Sequence, residues 1–139
     1  MNEIPLEYLN ILAEQTIMIS SLLGGFSISV IANLLTSDVN SKLHKYIVAS
    51  STLAACFFLI TVFAMTNLFL KTTNGYPLPV DESSLNLPRI IGVIAFYFGV
   101  ISLLTLISLA GWTKSKKMGV FTTAIGVITF IITFLMTAI

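Results

Sequence analysis

Charge is what this sequence has least of. Of its 139 residues 9% are charged, against roughly a quarter in soluble domains, so a solvated surface cannot be built over most of the chain. The balance is even, Lys+Arg 7 against Asp+Glu 6, which leaves no basic field for nucleic acid. Cysteine is also scarce: Cys56 stands alone in an apolar run. That excludes a disulfide framework or thiolate metal site within one chain, and a small buried hydrophobe is its expected role. His44 has neither a second histidine nor a nearby cysteine, and reads as a solvated loop residue rather than a ligand or a pH switch. Nucleophile–base constellations, metal-ligand clusters and phosphate-cradling loops are missing too, since Gly24-Gly25 sits inside an apolar run. No enzyme, metal or cofactor is expected.

What is present is hydrocarbon. Hydrophobic residues make up 56% of the chain and mean hydropathy is +0.98, values that mark an integral membrane protein. Four apolar runs are long enough to cross a bilayer, at about residues 16–35, 46–70, 89–112 and 119–139. The expected fold is all-α, an integral membrane four-helix bundle forming a single domain over residues 1–139. The opening MNEIPLEYLNILAEQ holds three acids and no Lys or Arg, unlike a secretory signal, so the first span is expected to stay.

Residues 3–15 read as a helical lead-in, with Leu6, Leu9, Ile11 and Leu12 on an apolar side beside Glu3, Glu7 and Glu14. If it continues into span one, the rod is roughly 45 Å long, a helical vestibule beyond the hydrocarbon; the other reading is an interfacial helix lying on headgroups. Span two changes from small residues (Ala49, Ser50, Ser51, Ala54, Ala55), suited to tight packing, to bulky ones (Phe57, Phe58, Phe63, Phe69) that face lipid or fill gaps. Asn74-Gly75 and two prolines make a turn-rich loop, and Pro88 is expected to begin span three. The short links after spans one and three require antiparallel neighbours.

Those two links hold Lys42, Lys45, Lys114, Lys116 and Lys117, against Lys71 and Arg89 on the other side. By the positive-inside rule the lysine side is cytoplasmic and both termini are outside. No span carries an internal Asp, Glu, Lys, Arg or His once its ends are set aside, which argues against proton-coupled transport. Glu14 is similar to the first-helix glutamate of the small multidrug transporters, but it precedes the apolar run.

Span one is the polar exception. Ser21, Gly25, Ser29 and Asn33 recur every fourth residue, a narrow stripe of small and polar groups on one helix face. Such a face meets another helix or lines a wet cavity, because an unpaired amide in hydrocarbon is costly. The segment Leu22-Leu23-Gly24-Gly25-Phe26, followed seven residues later by Asn33, resembles the first transmembrane helix of the Orai family of calcium channels. There a similar segment leads to the glutamate of the selectivity ring. Ser51–Thr66 and the run Leu109-Ala110-Gly111-Trp112-Thr113-Lys114 are similar to that family's second helix and to the end of its third.

The resemblance implies a homo-oligomeric ring whose first helices surround one pore. By position it puts Asn33 at the outer ring, Ser29 and Phe26 in a hydrophobic section, Gly25 at a hinge, and Leu22 and Met18 deeper in the lining. The chain departs from the family in having an amide in place of the filter acid, which removes the charge ring that would select calcium. Met18 and Glu14 stand where the family has basic residues, and the family's cytoplasmic C-terminal helix, which receives its activator, has no counterpart. The family also keeps both termini in the cytoplasm, opposite to the lysine count.

The expected function is therefore a weakly selective, oligomeric pore or ion channel of the cell membrane, with Met18, Leu22, Gly25, Phe26, Ser29 and Asn33 lining it. Its partners would be the lipid bilayer, further copies of itself and ions. The alternative is a non-conducting anchor or interaction subunit, whose stripe of Ser21, Gly25 and Ser29 binds a partner helix.

Overall fold

A computed structural model describes residues 4–38 and 40–139; Glu3, counted in the lead-in, lies outside them. The described residues are helical in four long elements: α1 (Leu6–Leu35), α2 (Lys42–Thr72), α3 (Glu82–Trp112) and α4 (Lys116–Ala138). Each is long and apolar enough to cross a membrane.

The helices start earlier than the apolar runs because caps reach into the polar links. Ser41 Oγ accepts the His44 N–H at 3.1 Å and Ser115 Oγ accepts the Met118 N–H at 3.2 Å, satisfying donors that an uncapped first turn leaves unpaired. His44 thus lies in the first turn of α2, half-buried, and not in a solvated loop. At the opposite end Gly75 takes φ +92°, a left-handed conformation that suits glycine in the expected turn.

Pro88 does not begin α3; it lies inside the helix, whose first residue is Glu82. A proline there has no N–H to give the Ser84 carbonyl one turn earlier. The Lys71 ammonium donates to that oxygen instead, at 3.3 Å. A lysine at the end of α2 so replaces the hydrogen bond that the proline removes.

The lead-in is no separate interfacial helix. It is continuous with span one through all 30 residues of α1, a rod of roughly 45 Å. Leu9 and Ala13 are buried with Met65 and Leu68 of α2 and Leu85 of α3. Asn10 Nδ2 donates to the Phe69 carbonyl at 3.1 Å and to Thr72 Oγ1 at 3.0 Å, so α1 begins beside the end of α2.

Helices pack in chain order: α1 on α2, α2 on α3 and α3 on α4. The single chain forms an open file instead of closing α4 onto α1, with α2 and α3 inside it. In lipid the hydrophobic effect does not drive this packing, so close approach through small residues and interhelical hydrogen bonds must. Phe58 is the keystone. It is fully buried, its Cβ lies where a Cβ on Gly24 of α1 would approach to 3.3 Å, and its ring lies where one on Gly99 of α3 would approach to 2.9 Å. One aromatic residue of α2 therefore fills glycine hollows on both neighbours.

Of the small residues expected to pack, Ser51, Ala54 and Ala55 are buried. Of the bulky ones expected to face lipid or fill gaps, Phe58 fills a gap and Phe63 is exposed. The buried side nonetheless runs the length of α2 instead of changing at its middle. Ser51, Ala54, Phe58, Thr61, Met65 and Leu68 are buried along one side of the whole helix, while Ala49 and Phe63 are exposed. Cys56 is exposed on the other side, because it falls two residues before the keystone and outside the buried stripe.

Candidate functional site

The residues that carry the functional reading sit on α1, which has two small-residue faces whose centres are roughly 150° apart at 100° per residue. The inner face holds Ser20, Gly24 and Ser27, all buried against α2. Ser51 Oγ donates to the Ser27 carbonyl at 2.9 Å, and Ser27 Oγ returns to Leu23 O of its own helix at 2.9 Å. Ser20 Oγ is buried with no hydrogen-bond partner among the described residues.

The outer face holds the predicted stripe. Ser21, Gly25, Ser29 and Asn33 are all exposed, and so are the larger predicted lining residues, with Leu22 at 71%, Phe26 at 53% and Met18 at 52%. Nothing lies within 4 Å of a Cβ built on Gly25. The Ser29 hydroxyl donates to Gly25 O at 3.0 Å, so it presents a small satisfied surface. Asn33 differs: its carbonyl accepts from Thr36 Oγ1 at 2.9 Å, whereas its side-chain amide has no hydrogen-bond partner among the described residues.

The structure thus gathers Met18, Leu22, Gly25, Phe26, Ser29 and Asn33 on one open side of one helix, with Ser21 beside them. Among the described residues it brings no second element to that side. The adjacent glycines divide the work: Gly24 is the packing glycine and Gly25 the free one.

Sequence reasoning did not single out Ser20, Ser27 or Asn10. Ser20, Gly24 and Ser27 stand at i, i+4 and i+7, a helical spacing as good as the stripe's, so the signal was present but did not say which face meets α2. Asn10 had no local signal, since its partners lie 59 to 63 positions away.

Among the described residues no group of three or more His, Cys, Asp or Glu could hold a metal ion. Neither a family model, nor a curated protein, nor a solved structure matches the chain.

Proposed function

We propose that several copies of this chain assemble in the cell membrane with α1 innermost, so that their outer α1 faces enclose a weakly selective ion pore. Asn33 stands at one mouth. Phe26, Leu22 and Met18, with Gly25 among them, form an apolar constriction that gates by dewetting, and Ser29 lies between it and Asn33. With no charge on this face, strong selectivity among cations is not expected. The chain's partners in this reading are the bilayer, its own copies and the ions that pass; catalysis has no part in it.

The single observation that carries the reading is the exposure of the α1 stripe beside an inner face that α2 already covers. An unpaired amide facing hydrocarbon costs several kcal/mol on the order of polar transfer penalties, and water in a pore removes that cost. The resemblance of Leu22–Phe26 and Asn33 to a pore-lining helix supports the same face.

A second reading keeps the face and drops the water. The open space over Gly25 would let another helix approach closely, making the chain a non-conducting anchor or interaction subunit.

The test begins with the mass of the purified complex in detergent or nanodiscs and continues with ion flux in liposomes for wild type and Asn33→Asp. A closed ring of chains whose flux changes selectivity with the substitution, while its mass does not, is the expected result. A monomer or dimer that passes no ions under any gradient overturns the pore. If Asn33→Asp dissociates a non-conducting complex, the face is a helix contact.

A further inference from the structure

On the other side of the molecule, α3 and α4 enclose a groove of about 550 Å³ lined by residues that include Ile101, Leu104, Thr105, Leu109, Trp112 and Phe130. Its shape follows from where the helices can touch. Near their connecting loop they meet through Gly111 and Gly119, where an added Cβ would collide with Thr122 and Trp112 respectively. Past Gly126, α4 has no buried residue and only Phe130 is even half-covered. The two helices are tight at the loop and open toward the other end.

The lining offers a polar ligand little beyond the Thr123 hydroxyl. Thr105 Oγ1 donates to Ile101 O at 2.8 Å, Ser108 Oγ to Leu104 O at 2.8 Å, and Trp112 Nε1 to Thr123 Oγ1 at 3.0 Å. With those donors used, the wall is hydrocarbon in character. The groove follows α3 from Trp112 to Ile101, roughly 16 Å at the α-helical rise. A volume of about 550 Å³ over that length has room for extended hydrocarbon.

The loop end is basic and unbalanced. Lys114, Lys116 and Lys117 are exposed within five positions of Trp112, and no Asp or Glu follows Glu82 in the sequence. Glu82 itself begins α3 at the opposite end. Lysines clustered at a membrane helix end attract anionic lipid headgroups.

The geometry points to a bound anionic phospholipid: an acyl chain lies in the α3–α4 groove between Ile101 and Trp112, and the phosphate sits at Lys114, Lys116 and Lys117. This inference rests on the chain crossing a membrane and not on ion conduction.

Native mass spectrometry of the full chain tests it, with phosphatidylglycerol or phosphatidylcholine of identical acyl chains added in detergent. Phosphatidylglycerol is expected to be retained at least about tenfold more than phosphatidylcholine, at roughly fivefold per lysine engaged. Replacing all three loop lysines by Gln brings it down to the phosphatidylcholine level, while Lys42→Gln with Lys45→Gln leaves it unchanged. Thr105→Trp, which fills the groove from an exposed position, lowers retention of both lipids. Equal retention of the two lipids by wild type overturns the proposal, as does an equal loss from the Lys42 and Lys45 pair. So does a change in copy number with Thr105→Trp in place of a change in lipid, which would make the groove a subunit contact. Displacement of phosphatidylglycerol by inorganic phosphate, with Thr105→Trp silent, would reduce the site to a bare anion site and overturn it as well.

Discussion

The two faces of α1 use nearly the same residue types for opposite ends. Ser20, Gly24 and Ser27 are buried against α2, and Ser21, Gly25 and Ser29 are exposed. Composition therefore does not decide which face packs; the partner does. Gly24 is opposed by Phe58, and Ser27 offers its carbonyl to Ser51, so the inner face is matched in shape and in hydrogen bonding. The outer face ends in Asn33, whose side-chain amide nothing among the described residues matches. A helix that spends one small-residue face inside the chain and keeps a second one open is suited to bring chains together.

Removing the residue that defines the inner face should have the largest effect. Phe58→Ala keeps the Cβ that meets Gly24 but empties the ring's place against Gly99 and is expected to destabilise the fold by about 3–5 kcal/mol, read by denaturant titration in micelles. The neighbouring glycines then separate the faces directly. Gly24→Leu forces a side chain against Phe58 and should cost about 1–3 kcal/mol of chain stability through overpacking. Gly25→Leu, with open space around it, should leave that stability unchanged and alter only the assembled state, measured as the mass of the complex. Equal losses of chain stability from both substitutions would erase the distinction between the faces.

Much of the fold was legible because bilayer thickness dictates run length: four apolar runs became four helices long enough to span. Their ends were less so. Ser41 and Ser115 cap helices inside polar links, and Pro88 was read as a start because its missing N–H suits a first turn. What allows it inside α3 is Lys71, 13 positions before Ser84, a contact that no local pattern carries. The stripe of Ser21, Gly25, Ser29 and Asn33 was visible as a period of four. Its exposure was not, because Ser20, Gly24 and Ser27 offer a rival face and only the position of Phe58 settles which of the two α2 covers. Cys56 was misplaced for the same reason: an apolar neighbourhood in a membrane helix says that a residue avoids water, not that protein covers it.

The smallest effect is also the sharpest test of the inner face, because two serines on opposite sides of the α1–α2 contact should respond with opposite signs. Ser51 donates to the Ser27 carbonyl from a fully buried position, so Ser51→Ala should destabilise the chain by about 0.6 kcal/mol, the average for interhelical hydrogen bonds in membranes. Ser20 is as deeply buried, yet its hydroxyl has no partner among the described residues. Leaving such a group unpaired costs free energy in the native wild type, so Ser20→Ala should stabilise the chain by up to about 1 kcal/mol, and the pair should differ in sign in the same denaturant titration. A loss from Ser20→Ala as large as that from Ser51→Ala would mean that the Ser20 hydroxyl is bonded in the membrane, to water or to a neighbouring copy. The inner face would then not be closed by α2 alone, and the contrast with the outer face would be one of degree.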